Sequence, residues 1–150
     1  MSADDLSAVW TAIKARAAAE ITGLPIFWPR EPNEMPDTPA PFVYFELIVD
    51  KAGAPVSYGG GRGRNTYRNG AELNGYVFVP RNYTVEAEAA LSERVAAAFR
   101  SYRSDVISCF DATPMLVGNG SDLVPAGFES AADQYECTVV AIDLFFDQIG

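Results

Sequence analysis

Between Pro29 and Pro41, five of thirteen positions are proline: Pro29, Pro32, Pro36, Pro39 and Pro41. Proline lacks the amide donor and fixes φ, so such a run is neither helix nor central strand. It therefore divides the chain in two, and regular structure on one side cannot continue to the other. Residues 29–41 are expected to form an extended arm or a loop crossing the surface.

Before the prolines, Ala3 to Ile21 reads as a helix. Ser2 is placed to cap it, and Asp4 and Asp5 fall in its first turn, where the helix dipole favours anions. Leu6, Trp10, Ile13 and Ala17 recur at three- and four-residue steps and predict one apolar stripe. Gly23 and Pro25 stop the helix. Ile26-Phe27-Trp28 then reads as a short edge strand.

After the prolines, Phe42 to Val49 alternates clearly. Val43, Phe45, Leu47 and Val49 form one face, expected to meet the core, and Phe42, Tyr44, Glu46 and Ile48 form the other. Ala71 to Val79 repeats the pattern with Leu73, Val77 and Val79. Between them lies a polar insert, residues 50–69, centred on Gly59-Gly60-Gly61-Arg62-Gly63-Arg64. Two strands and an insert of that kind predict a hairpin with a long, flexible loop. Thr84 is a candidate cap for a second helix to about Tyr102, with Val85, Leu91, Val95, Ala98, Phe99 and Tyr102 on its apolar side. Thr113 to Val117 reads as a short strand. Tyr135 to Phe146, apolar on both faces, reads as a central strand covered on both sides. The fold class is α+β: a single domain over 1–150, with a mostly antiparallel sheet of four to five strands and two helices packed on one face.

Charge is distributed unevenly. The net charge is −9, made of −5 over residues 1–50, +4 over 51–103 and −8 over 104–150. A chain this acidic is poorly suited to ordinary nucleic-acid binding, which depends on Lys and Arg neutralising phosphates. Segments of unlike charge suit either a solvated surface or head-to-tail pairing between copies, which closes rings or extends filaments. No apolar run approaches the ~18 residues that span a bilayer, and the acidic start MSADDL does not read as a secretory signal.

Candidate chemistry is sparse. The chain has no histidine, which removes the commonest general base and metal ligand and excludes Ser-His-Asp and Cys-His catalysis. The glycine run lacks the Lys-Ser/Thr that completes a phosphate loop. Asp111, Asp122, Asp133, Asp143 and Asp147 lack the spacing of a calcium loop and read as surface acids. Cys109 and Cys137 match no zinc or redox spacing and are expected to be reduced and buried. No catalytic residue, cofactor or metal is expected. Four residues stand out as candidate interface groups: Trp28 beside the proline run, because tryptophan is a favoured interface anchor, and Arg62, Arg64 and Arg68, which suit an acidic patch on a neighbouring protein better than DNA.

The layout resembles the tail terminator proteins of long-tailed phages and related prophage and gene-transfer particles. The resemblance is carried by an alanine-rich first helix leading to Gly23-Leu24-Pro25-Ile26-Phe27-Trp28, and by a Pro-rich stretch entering Pro41-Phe42-Val43-Tyr44-Phe45. It continues through Arg68-Asn69-Gly70-Ala71-Glu72-Leu73-Asn74-Gly75-Tyr76-Val77-Phe78-Val79-Pro80, the helix Glu86 to Phe99 and the final strand Glu136 to Phe146. It covers nearly the whole chain and rests on pattern and element order. It implies a virion protein, assembled in the host cytoplasm, forming a hexameric ring at the head-proximal end of the tail. The implied partners are further copies of itself, the tail tube protein and the head–tail connector protein. DNA would pass through the lumen without specific binding, and no membrane is involved. The ring would stop tube polymerisation and offer the surface that joins the head. The family has no catalytic residues to carry over. Other head–tail joining or tail-completion proteins share this layout, and a small-molecule or peptide-binding module is the alternative of a different class.

Overall fold

A computed structural model describes residues 3–32, 34–49, 54–57, 66–115, 125, 128 and 134–149. In chain order the elements are α1 (Ala3–Glu20), β1 (Ile26–Phe27), β2 (Phe42–Val49), β3 (Ala54–Ser57), β4 (Thr66–Pro80), α2 (Val85–Phe99), β5 (Ser108–Met115) and β6 (Tyr135–Ile149). The sheet runs β1-β2-β4-β6-β5, and β3 pairs with β4 off that path. Every pairing is antiparallel except β1 with β2. The α+β class, the mostly antiparallel sheet and the pair of helices agree with the expectation from sequence.

The parallel β1–β2 pair explains the prolines. Parallel neighbours need a crossover connection of about a dozen residues, most often a helix. Here the crossover is the proline run, which returns the chain from the end of β1 to the start of β2. It is a strap tied at both ends. At its start, Glu31 N–H donates to the Trp28 carbonyl at 3.4 Å and Lys14 pairs with Glu31 at 2.7 Å. At its far end, Ala40 N–H donates to the Tyr135 hydroxyl at 3.2 Å.

Both helices lie on one face of the sheet. Val9, Ile13 and Ala17 of α1 and Val95, Ala96 and Phe99 of α2 share one buried cluster with Val43, Phe45, Leu73, Val77, Val140 and Ile142. The α1 stripe is rotated from the one expected: Val9 is buried, whereas Leu6 is 37% exposed. Val85 of α2 is likewise exposed at 58%. Thr84 caps α2 as expected, its hydroxyl accepting from Ala87 N–H at 3.2 Å.

The opposite face carries a second, aromatic cluster at one end. Phe27, Phe42, Phe78, Phe128, Tyr135 and Cys137 are buried together, with Phe42 stacked on Phe78 at 4.6 Å between centroids. Phe42 is therefore core, although its alternation placed it away from the expected core face. The first residues of β2 are covered on both sides.

Three element boundaries differ from expectation. β4 begins five residues before Ala71, because β3 and the end of β6 give Thr66 to Gly70 partners that the local pattern does not reveal. β3 itself lies within the insert expected to be loop. β5 starts at Ser108, where it already pairs with Phe145, and an irregularity between Cys109 and Ala112 puts both of those residues into the helix-side core and breaks the two-residue alternation. The outer edge of β5 is partly covered by its own preceding turn: Cys109 N–H donates to Tyr102 O at 2.8 Å, and Ser101 N–H to Phe110 O at 3.0 Å. Edge strands are commonly protected in this way against uncontrolled pairing.

Candidate interaction surface

Beyond the aromatic cluster, no described element covers the second face of the sheet. Across β2, β4 and β6 this face carries Ile48, Glu72 and Asp143 in one row, then Glu46, the buried Asn74 and Ala141, with Thr113 of β5, in the next, and Phe110 of β5 lies against Phe145. Ile48 is 48% exposed and Phe110 41%. Exposed apolar side chains thus flank a pair of facing carboxylates, Glu72 and Asp143, on a strand-built plane. Tyr76 links this surface to the aromatic cluster, its hydroxyl donating to Glu46 at 3.3 Å. Partial burial, with the Glu46 carboxylate beside it, pushes the Tyr76 hydroxyl up to about 12.

Arg68 stands at the rim of this plane. Its guanidinium donates to both Asp147 carboxylate oxygens, at 2.9 and 3.1 Å, and stacks 4.1 Å from the Phe145 ring centroid. Phe145 in turn stacks on Phe110 at 4.9 Å. The base expected to seek an acidic patch on a neighbour therefore finds one in its own chain, from the acidic C-terminal third. Arg81 forms an ion pair with Glu136 at 3.4 Å. Part of the charge asymmetry seen along the sequence is cancelled where β4 lies against β6. Arg62 and Arg64 lie outside the described residues.

Trp28 is mostly buried. Its ring stacks on Phe45 at 5.1 Å and meets the edge of Trp10 at 6.2 Å, and Lys14 Nζ sits 5.5 Å from its centroid. It is a core residue whose rim, with Trp10, Lys14, Pro29 and Arg30, lines a surface groove of about 240 Å³. A polar cleft of about 390 Å³ lies at the end of the sheet nearest α1, with Arg68, Arg103, Ser104, Asp105 and Asp147 among its lining.

Two features are not anticipated by the sequence pattern. Glu88 of α2 is 2% exposed and accepts a hydrogen bond from the Thr138 hydroxyl of β6. A signal for it exists: Glu88, Ser92, Val95 and Phe99 fall at four-, three- and four-residue steps and are all buried. The second is the facing of Trp10 and Trp28, which depends on how β1 lies beside α1.

Cys109 and Cys137 are both free and buried, on opposite faces of the sheet. Burial pushes their thiols up to about 11 and about 12, with Glu88 and Glu136 adding to the shift at Cys137. Among the described residues, no group of three or more Cys, Asp or Glu side chains is arranged to hold a metal ion. No described helix is long and apolar enough to cross a membrane.

No family model matches the sequence, and a search of curated proteins found no match. A solved protein chain, 18% identical, is similar over 100% of this chain and 98% of its own length, with a TM-score of 0.53. At that identity the likeness concerns the fold alone: a protein of nearly the same extent shares this arrangement of helices and sheet.

Proposed function

We propose that the chain is a structural subunit of a homo-oligomeric ring, six copies in its simplest form, that closes the head-proximal end of a phage tail tube. The observation that carries this reading is the part of the second sheet face that no described element covers. Exposed Ile48 and Phe110 on that face, with Glu72 and Asp143 between them, suit a surface that a neighbouring protein would cover. The element order supports it too: an alanine-rich helix, a proline crossover, a long hairpin, a second helix and two closing strands match the layout of the tail terminator proteins.

The two ends of the sheet differ, with the short β1 at one and the turn-protected β5 at the other. Unlike ends favour head-to-tail contacts, which close into a ring when the rotation permits. The partners of such a ring are further copies of itself, the tube protein and the head–tail connector protein. Its location is the virion, and DNA would cross its lumen without specific binding.

The test is assembly. Purified chain added to polymerising tube protein is expected to shorten the tubes and to label one end of each in negatively stained images. Ile48→Asp and Phe110→Asp, both at exposed positions, are expected to fold and to lose this capping. Tubes that grow as if nothing had been added would overturn the proposal.

A further inference from the structure

The groove between α1 and the start of the proline strap has the chemistry of a polyproline II receptor. Its walls are the two tryptophans of the chain, Trp10 and Trp28, set at 84° to one another, and its rim carries Lys14 and Arg30. Aromatic-lined grooves take Pro-rich segments because a polyproline II strand is preformed and loses little entropy on binding. Such a strand makes no internal hydrogen bonds, so its carbonyls are free to accept. Arg30 is exposed, with φ 63°, and has no ion-pair partner among the described residues.

The chain also carries a matching ligand. Residues 34–41 read Glu-Met-Pro-Asp-Thr-Pro-Ala-Pro. Glu34, Met35 and Asp37 are exposed, and neither acid forms an ion pair among the described residues. Proline spacing suits the aromatic groove, and an acid of the strap suits Arg30, since Lys14 at the same rim is already paired with Glu31. A strap cannot fill the groove of its own copy, because its far half is anchored elsewhere. Thr38 and Pro39 line a separate cavity with Pro80, Arg81 and Gln134, and Ala40 is bonded to Tyr135. We infer that the Trp10–Trp28 groove of one copy receives the proline strap of the next, with Asp37 against Arg30. Groove and strap are different surfaces, so the contact is head-to-tail, as a ring requires. The inference rests on the ring reading and names one of its subunit contacts.

Because both tryptophans line the groove, their fluorescence reports its occupancy directly. A synthetic peptide of residues 34–41 in excess is expected to shift the tryptophan emission of the full chain and to lower its assembled mass. The same peptide carrying Asp37→Arg is expected to do neither. Within the full chain, Arg30→Asp and Asp37→Arg are each expected to weaken self-association about fivefold per contact, the scale of an exposed ion pair. The double variant Arg30→Asp with Asp37→Arg is expected to restore it. An oligomer indifferent to the peptide and to both charge reversals overturns this contact while leaving the ring reading intact. A chain that stays monomeric at every concentration and ignores the peptide overturns both.

Discussion

Gly75 offers the sharpest test of how the helices sit on the sheet. It lies mid-β4, opposite Phe45 on one neighbour and Val140 on the other. A Cβ built there would stand 3.0 Å from Phe45 Cε1 and 3.1 Å from Val95 Cγ1. Glycine inside a strand costs about 0.5–1 kcal/mol relative to alanine, so its presence needs a reason. The reason here is the close approach of the Phe45 ring and the α2 side chain. Gly75→Ala recovers that backbone term and incurs an overpacking cost of about 1–3 kcal/mol, since both neighbours are fully buried. The expected net loss is about 0–2.5 kcal/mol, at roughly 2–4 °C in Tm for each kcal/mol at this size. Val95→Ala alone is expected to cost about 2 kcal/mol through the cavity it leaves. Combined, the new methyl occupies part of the vacated space, so the double variant is expected to lose about 0.5–1.5 kcal/mol less than the two losses added. Urea denaturation of the four proteins at constant m measures this. A stabilising Gly75→Ala, or strict additivity in the double variant, would refute the packing argument.

The buried Glu88–Thr138 pair behaves differently when broken than when replaced. Glu88→Ala strands the Thr138 hydroxyl and leaves a cavity, and is expected to cost about 2–4 kcal/mol; Glu88→Leu with Thr138→Val is expected to recover most of it. Equal losses in the single and double variants, by urea midpoint, would contradict this. Cys109, Cys137 and Tyr76 all hold their protons more tightly folded than unfolded, with values pushed up to about 11, 12 and 12. The unfolded chain therefore releases these protons first. Stability from these groups is full below the ordinary thiol value of 9.0 and falls as pH rises toward 11–12. The urea midpoint is expected to drop from about pH 8.5 to about pH 10.5, less steeply in Cys109→Ala with Cys137→Ala. A midpoint that rises over that interval would contradict the burial argument.

The sequence carried the element types and their order because the signals are local. Thr84 capped its helix, the alternation of Phe42 to Val49 made a strand, and the apolar run of Tyr135 to Phe146 made an interior one. What it did not carry depends on partners far along the chain. The early start of β4 requires β3 and the end of β6, and the irregularity in β5 hides its alternation. The proline run was legible as something other than helix or central strand, yet its role as a crossover comes only from the parallel pairing of two residues, Ile26 and Phe27. Among the candidate interface residues, Arg68 was visible as a charge, while its pairing with Asp147 required knowing that β4 and β6 are neighbours. Trp28 was visible as a large aromatic beside the prolines. Its burial against Phe45 is a result of the helix-side packing.

Self-association is the claim on which the account turns, and the mass of the purified chain in solution tests it most directly. Light scattering or sedimentation across a wide concentration range is expected to give a closed assembly of defined size, six times 16.2 kDa in the simplest case. A mass that stays at 16.2 kDa at every concentration, both alone and with tube protein present, would contradict it.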